Sequence, residues 1–395
     1  MKEKNRILST VSIYHALNDG SVAVIAILFP IFKSSFNLSY TQIGIITGGG
    51  LFINLVAQLI IGRIADGKSS RIFLSIGILL ISISLLLLAH SKDFLSLLLF
   101  IFILRFSSSF FHPIGVGWIS RVFKRDKLDW AMGIQSGSAD LGAFIALSTT
   151  LYLTDIRFWD FPLYLWSILG IIGLITGTAI TQKVRHSYIF VKKETEKQSF
   201  KEALEEAIHF LKKIKLLVPA FMIGGAALGV IFNFLPLLLN EKTDLSLSAI
   251  GLIVALWIGM GSMASFFYGK TSSLIGRKVV VTLAYLTVGV MGILLSFFTN
   301  TIIILLIMVF LGISVFLTFP ALFSYVSEVT HESVEGRTFG IIFTLQLGGG
   351  TLISFLSGAL SDIFGIWIPF ALLGMLSILF TGVLLVNYKK PFVSL

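Results

Sequence analysis

The sequence predicts an all-α membrane protein with twelve transmembrane helices in two pseudo-symmetric six-helix bundles. Three observations predict this class: the composition, the number of long apolar runs, and a repeat that relates the two halves of the chain. Of the 395 residues, 56% are hydrophobic and 13% are charged, whereas a soluble globular domain carries about 25% charged residues. The composition therefore excludes an ordinary soluble domain.

Twelve apolar runs are long enough to cross a bilayer, which takes ~20 residues of helix. They lie near 7–32, 41–62, 72–90, 94–119, 130–154, 159–181, 216–239, 247–269, 279–298, 301–326, 338–360 and 364–387. The first run is long and no small-residue cleavage site accompanies it, so we expect no cleavable signal peptide.

Basic residues alternate between the loops that join these runs. One set of loops is rich in lysine and arginine, and the other set holds only Lys33, Lys92, Arg157 and Lys242. The positive-inside rule then predicts a multi-pass protein of the cytoplasmic membrane with both termini in the cytoplasm. This placement explains the net charge of +10 without a nucleic-acid partner. We expect a monomer whose partners are the lipid bilayer, a small-molecule substrate and protons.

The two halves of the chain repeat each other at an offset of 207 residues without a gap. This offset pairs Ile43-Gly44 with Ile250-Gly251, Pro113 with Pro320, Gly142 with Gly349, and Asp155 with Asp362. Parallel repeats of this kind are related by an axis along the membrane normal. We predict an N-terminal bundle over 1–181, a cytoplasmic linker with an amphipathic helix over 182–214, and a C-terminal bundle over 215–395.

Two loops of the repeat carry a recognisable pattern. Gly62 to Arg71 reads GRIADGKSSR, and its counterpart, Gly269 to Lys278, reads GKTSSLIGRK. Both resemble the loop signature of the major facilitator superfamily, because the first keeps the aspartate and the second keeps Gly-Arg-Lys. The resemblance covers nearly the whole chain and implies a transporter whose halves rock about a mid-membrane site. It also implies a conformational latch formed by Gly62, Asp66, Arg71, Gly269, Gly276 and Arg277.

Two further stretches resemble the fosmidomycin-resistance group of exporters within that superfamily. Tyr14 to Asp19 reads YHALND, similar to the group's S-H-x-L-N-D, and Phe111 to Pro113 reads FHP, similar to its F-H-P-E. Ile114 stands where the group usually has glutamate. Arg105 lies where many proton-coupled drug antiporters of the superfamily have an arginine. The resemblance implies an exporter of a small organic solute.

Arg105 is the only one of the thirty lysines and arginines that falls deep inside a predicted span. A charge at that depth costs ~3 kcal/mol on insertion scales and is functional by default. At a rise of ~1.5 Å per residue, Asp19, Arg105 and Asp140 share one depth, with His15 and His112 ~7 Å nearer the cytoplasm. We predict that Asp19, Arg105, His112 and Asp140 couple transport to protons.

Structural roles stay open for these side chains. Arg105 is also suited to clamp backbone carbonyls, Asp19 to neutralise Arg105, and His112 to fill a kink as a hydrogen-bonded core residue. The C-terminal half has no equivalent charges. The predicted substrate cavity is lined by His15, Asn18, Ser109, Gln135, Asn233, Tyr325 and Gln346, and Pro113 and Pro320 are expected to bend the fourth and tenth spans.

The chain has no cysteine, and it carries no P-loop, zinc-binding spacing, catalytic triad or dinucleotide motif. We therefore predict no enzymatic activity, no cofactor and no metal site. The predicted function is proton-coupled export of a small organic solute by alternating access. A proton-coupled importer, a uniporter of a small organic anion, and a non-transporting receptor with the same fold stay as alternatives.

Overall fold

The structure, a computed structural model, describes residues 3–65, 68–123, 125–184, 200–329, 335–389 and 391–393. Helices dominate these residues. In chain order they are α1 (Glu3–Ile27), α2 (Phe29–Ser35), α3 (Tyr40–Ala65), α4 (Ser70–Leu88), α5 (Phe94–Ser108), α6 (Gly117–Val122), α7 (Arg125–Ile156), α8 (Phe161–Thr181), α9 (Phe200–Lys213), α10 (Val218–Lys242), α11 (Leu247–Ile275), α12 (Arg277–Phe297), α13 (Thr301–Val329), α14 (Glu335–Phe364) and α15 (Ile368–Val386).

Ten helical stretches of the described residues are long and apolar enough to cross a membrane. The pair α1 and α2 makes an eleventh span if it is counted as one, with a bend of 45° between its parts. Pro30 lies in the first turn of α2, where proline is tolerated because the first helical N–H groups have no intrahelical acceptor. The remaining predicted run, near 130–154, is α7, whose many Ser, Thr and Gly residues make it less apolar.

The chain divides into two compact units that interleave in sequence. One unit comprises Met1–Leu38, Gly49–Glu194 and Leu245–Ala255, and the other comprises Ser39–Gly48, Thr195–Asp244 and Leu256–Leu395. Each unit thus takes most of one repeat together with the first turns of a helix from the other repeat. The start of α3 belongs to the second unit, and the start of α11 belongs to the first.

In the first unit, α1 packs along α7 and α8, and α4 packs against α5 and α8. The α1–α7 crossing is close, because a Cβ added at Gly142 would lie 2.1 Å from the carbonyl oxygen of Ala16. Small residues permit such approach between membrane helices, which are held together by dispersion and hydrogen bonds. This crossing fixes the part of α1 that carries His15 and Asp19 against α7.

In the second unit, α10 packs along α14, and α12 packs along α15. Gly349, the repeat counterpart of Gly142, has the same role, because a Cβ there would lie 2.1 Å from the carbonyl oxygen of Met222 on α10. The repeat seen in the sequence is therefore also a repeat of helix crossings.

The fourth predicted span is interrupted in its middle. Helix α5 ends at Ser108, a π-helical turn follows at His112–Val116, and α6 completes the span. Pro113 in this turn has no backbone N–H, so the regular hydrogen-bond ladder cannot pass through it. Its counterpart Pro320 instead lies inside the continuous helix α13. The two prolines thus have different local structures, and the predicted bend at Pro320 stays a prediction.

Helix α9 occupies the linker in which an amphipathic helix was predicted. Phe210 on this helix is buried, whereas Glu205 and Ile208 are exposed. Residues 185–199 of the linker lie outside the described residues. The position of α9 at the membrane surface stays a prediction.

Candidate functional site

Three titratable side chains meet in the first unit. His15 and Asp19 are one turn apart on α1, and the His15 Nε2 and Asp19 Oδ2 atoms are 3.6 Å apart. The ring of His112, from the π-helical turn, meets the His15 ring edge-on with 5.4 Å between ring centroids. We call His15, Asp19 and His112 the titratable cluster. It brings the two stretches that resemble the fosmidomycin-resistance group, YHALND and FHP, into contact.

The tautomer of His15 is set by α7. The Nδ1 atom of His15 lies 3.0 Å from the backbone oxygen of Gln135 and 2.7 Å from its side-chain Oε1. A backbone oxygen can only accept, so Nδ1 carries the hydrogen and donates it. In a neutral His15 the other ring nitrogen, Nε2, is therefore a bare acceptor.

This tautomer has a direct chemical consequence. Nε2 of His15 is buried and has no hydrogen-bond partner in the part of the chain that the structure describes. It faces Oδ2 of Asp19, which in an ionised carboxylate is also an acceptor. Two acceptors that face each other repel, and one added proton on either atom makes the contact favourable. The geometry is suited to bind a proton between the two residues.

The surroundings of the cluster are partly apolar. Phe111 stacks on the His15 ring with 4.1 Å between centroids and an angle of 21° between the planes. Asn18 is buried and its Nδ2 donates to Oδ1 of Asp19 over 2.7 Å. The Asp19 side chain is still 33% exposed, so this carboxylate is held on one side and accessible on the other.

Arg105 lies near the end of α5 and is 8% exposed. Its guanidinium interacts electrostatically with Asp19. Helix α3 covers its aliphatic stem, since a Cβ added at Gly50 would lie 2.9 Å from Cγ of Arg105. Among the described residues, Nε of Arg105 has no hydrogen-bond partner. A buried unpartnered N–H is costly, so this donor is suited to an anionic group.

Two polar side chains that the sequence analysis did not single out support α5. Asn54 of α3 donates from Nδ2 to the backbone oxygen of Arg105 over 3.0 Å and to Oγ of Ser108 over 3.3 Å. Gln58, one turn further on, donates to Oδ1 of Asn54 over 2.5 Å. Their signal in the sequence is two amides four residues apart within an otherwise apolar span.

Two other predicted residues of the first unit lie on the same helices. Ser109 is fully buried and its hydroxyl donates to the backbone oxygen of Phe106 over 2.5 Å. Its hydrogen is therefore donated within its own helix, and the predicted cavity-lining role of Ser109 stays a prediction. Asp140 is half-buried on α7, five residues beyond Gln135.

The polar residues predicted in the C-terminal half do not form one group. Asn233 is buried and donates to the backbone oxygen of Gly229 over 2.8 Å, and its Oδ1 has no partner among the described residues. Gln346 is buried, and its Nε2 is likewise unpartnered within the described ranges. Tyr325 instead lies beside the loop motif, with the guanidinium carbon of Arg277 5.0 Å from its ring centroid. Its assignment to the substrate cavity stays a prediction.

The structure describes some of the residues of the predicted latch, and the latch itself stays a prediction. Asp66 lies outside the described residues, and Gly62 packs on Pro113, with 3.4 Å between an added Cβ and the proline Cβ. Arg71 donates to the backbone oxygen of Thr181 over 3.3 Å. Gly269 is exposed. Gly276 has a φ of 83°, a backbone conformation that favours glycine.

The loop motif of the second unit is completed by an acid that the sequence analysis missed. Arg277 forms an ion pair with Glu328 at the end of α13. At the offset of 207 residues these two positions correspond to Ser70 and Arg121, and Arg121 donates to Oγ of Ser70 over 2.6 Å. The two equivalent positions therefore contact each other in both units. The basic residue is the second of the pair in the first unit, Arg121, and the first of the pair in the second unit, Arg277.

The titratable cluster is also the group among the described residues that most resembles a metal site. One ligand atom from each of its members lies within 4.8 Å of the others. The charge of Asp19 is, however, already opposed by Arg105, and an added divalent cation would be repelled by that guanidinium. Protons or an anionic ligand fit the charge of this site better.

A helical membrane protein with repeated halves and a partly buried titratable cluster between its helices has the architecture of a secondary transporter. Residues 11–354 match the sequence profile described as the Major Facilitator Superfamily. The chain therefore belongs to the Major Facilitator Superfamily, and the fold class predicted from the sequence is confirmed.

Similar proteins agree with this assignment. The uncharacterised MFS-type transporter YfnC of Bacillus subtilis is 24% identical over 387 residues, which cover 94% of this chain and 91% of YfnC. The fosmidomycin resistance protein of Escherichia coli is 33% identical over 107 residues, 27% of this chain and 26% of that protein. A POT family transporter solved with 5-aminolevulinic acid has a TM-score of 0.81 at 16% identity, covering 97% of this chain and 96% of its own. That structural likeness concerns the fold alone.

Proposed function

We propose that this transporter exports a small organic solute in exchange for protons, and that the titratable cluster is its proton site. The observation that carries the proposal is the opposition of two acceptor atoms, Nε2 of His15 and Oδ2 of Asp19. A proton-coupled carrier needs a group whose proton affinity differs between two conformations. A pair of acceptors that requires one proton to be satisfied is such a group.

Arg105 supplies the difference between the two conformations. When the guanidinium is close to Asp19, it favours the ionised carboxylate, so the proton leaves. When the two groups separate, the carboxylate takes a proton and shares it with His15. His112 passes protons to and from this pair. Asp140 is the alternative proton-exchanging acid if Asp19 does not have that role.

The substrate is proposed to use the same unit for its charged group. Arg105 and the two histidines suit an anionic head group, whereas a cationic solute would contact Asp19 instead. Asn233 and Gln346 of the second unit each have an unpartnered buried polar atom among the described residues, and each stays a proposed solute-contacting residue of that unit. Export is supported by the similarity to the fosmidomycin resistance protein over 107 residues.

The proposed orientation follows from the charges of the loops. Both termini are placed in the cytoplasm by the excess of lysine and arginine on their side. The protein is proposed to act as a monomer in the cytoplasmic membrane. The latch residues of each loop, Asp66 and Arg71 in one and Arg277 in the other, would then lie on the cytoplasmic side.

Transport in proteoliposomes tests the coupling. A thermal-stabilisation screen that starts with fosmidomycin first selects a solute that binds the purified protein. An imposed pH gradient with the acidic side inside should drive accumulation of that solute by the unaltered protein, because protons leave as the solute enters. Asp19→Asn should lose this drive while retaining counterflow, because the amide cannot exchange a proton but can keep the contact with Asn18.

Asp93→Asn is the matched control. Asp93 is an exposed carboxylate that caps its own helix through Ser96, so its substitution should leave pH-driven transport unchanged. Accumulation by the unaltered protein without any pH gradient would contradict the coupling and favour a uniporter. Accumulation driven by the opposite gradient direction would favour a proton-coupled importer, and binding without flux would favour a receptor.

A further inference from the structure

Two carboxylates at equivalent positions of the repeat each bind the start of a helix from the other repeat. Asp362, near the end of α14, accepts from the backbone N–H groups of Tyr40 over 2.8 Å and Thr41 over 2.7 Å. Asp155, at the end of α7, accepts from the backbone N–H of Ser248 over 3.3 Å and from its hydroxyl. We call Asp155 and Asp362 the carboxylate caps.

The two contacts are related by the repeat on both sides. The offset of 207 residues that takes Asp155 to Asp362 also takes Thr41 to Ser248. Each contact lies within one compact unit, since Asp155 and Ser248 belong to the first and Asp362 and Tyr40 to the second. A chance contact would have no reason to occur twice at the same pair of positions.

Close helix crossings accompany the caps, again at equivalent positions. A Cβ added at Gly44 of α3 would lie 2.9 Å from the backbone oxygen of Ser354 on α14. A Cβ added at its counterpart Gly251 of α11 would lie 2.7 Å from the backbone oxygen of Leu147 on α7. Each cap therefore lies on the same helix as a close crossing, eight residues further along the chain.

The chemistry of the caps makes them strong but reversible. The first N–H groups of a helix have no intrahelical acceptor, and the helix dipole favours a negative charge there. A carboxylate that accepts from such N–H groups forms charge-assisted hydrogen bonds, which are stronger than neutral ones. If the two residues of a pair separate, water replaces both partners, so the contact can be broken and remade.

We propose that the carboxylate caps are reversible contacts of the transport cycle. In one conformation they hold the start of α3 against α14 and the start of α11 against α7, and in the other conformation they release both. By the order of the spans, both caps lie on the side of the membrane opposite to the two termini. They therefore complement the loop motifs, which lie on the terminal side. In the second unit the hydroxyl of Tyr40 also donates to Glu241, so the contact at Asp362 is accompanied by one more hydrogen bond.

Alkylation of a single buried cysteine tests this role. The chain has no cysteine of its own, and Ser354 is fully buried at the α3–α14 crossing. Ser354→Cys in the full chain, in lipid nanodiscs and without substrate or pH gradient, should react slowly with a soluble maleimide. Adding Asp362→Asn should raise the alkylation rate about tenfold, as expected when one charge-assisted hydrogen bond is lost.

Two further variants make the result decisive. Asp93→Asn, which removes a carboxylate that caps its own helix, should leave the rate unchanged.

Ser248→Ala removes only the hydroxyl donor of the other cap, so it is the milder variant if Asp362→Asn does not fold. It should accelerate the alkylation of a matching probe, Ala146→Cys, which is also fully buried. Equal rates in the parent and in both cap variants would overturn the proposal. Because no transport is measured, failure of the proton-coupling proposal would not affect this outcome.

Discussion

At the scale of single residues, the proposed proton coupling depends on which nitrogen of His15 carries a hydrogen. Gln135 presents two acceptors to Nδ1, so the neutral ring must turn an acceptor toward Asp19. Without that constraint the ring would take the other tautomer and donate Nε2–H to the carboxylate, and the pair would be satisfied without an added proton. Gln135 is thus a positioning residue for the proposed proton site.

Substitution of Gln135 by leucine should weaken proton coupling more than transport itself. The backbone oxygen of residue 135 stays, so the loss is partial, and we expect the ratio of pH-driven uptake to counterflow to fall about tenfold, the effect of one lost hydrogen bond to a charged group. Both fluxes are measured in the same proteoliposomes. Gln182→Leu, an exposed position after α8, is the control, and an unchanged ratio in Gln135→Leu would contradict the role of the tautomer.

At the scale of helices, the site is held by crossings that only glycine permits. Gly142 allows α7 to approach α1 at Ala16, one residue from His15. This crossing places Gln135 of α7 within reach of the histidine. An equivalent close crossing occurs at Gly349 in the second unit, where α14 packs against α10.

Gly142→Val should therefore destabilise the protein. The added side chain would force the helices apart, and overpacking of this kind costs ~1–3 kcal/mol. Thermal unfolding of the purified protein should show a lower midpoint. Gly133→Val on the same helix has no heavy atom within 4 Å of an added Cβ and should unfold close to the parent. Equal midpoints for the two variants would mean that the α1–α7 crossing is not as close as described.

The sequence predicts the helices well and their mutual rotation poorly. Runs of apolar residues define the spans, and the i to i+4 spacing of His15 and Asp19 correctly predicts that they share a helix face. An all-apolar helix gives no periodic signal for which side meets which neighbour. For this reason the bond from His15 to Gln135, the support of Arg105 by Asn54, and the location of Tyr325 beside Arg277 could be found only in the structure.

The π-helical turn at His112–Val116 has a similar explanation. Proline predicts a disturbance at both Pro113 and Pro320, but whether a helix breaks or continues depends on the tertiary contacts that hold it. At Pro113 the turn directs His112 toward His15, so the local break is part of the titratable cluster. The chemistry of the first unit thus depends on a feature that the second unit lacks.

At the scale of the whole molecule, some features occur in both repeats and others occur in only one. Features of the fold are present twice. They are the close crossings at Gly142 and Gly349, the equivalent contacts Ser70–Arg121 and Arg277–Glu328, and the carboxylate caps. The titratable cluster and Arg105 are present once, in the first unit. We interpret the first set as the machinery of conformational change and the second as the machinery of coupling.

The central claim, that flux of the solute is coupled to protons, is tested most directly by proton movement. Proteoliposomes that hold a trapped pH-sensitive dye and the unaltered protein receive an outside pulse of the solute selected by thermal stabilisation, with no pH gradient imposed. Because the solute enters, an antiporter should move protons out of the lumen and alkalinise it in proportion to the solute that moves, and Asp19→Asn should abolish the signal. Solute entry with no change in luminal pH would contradict the account.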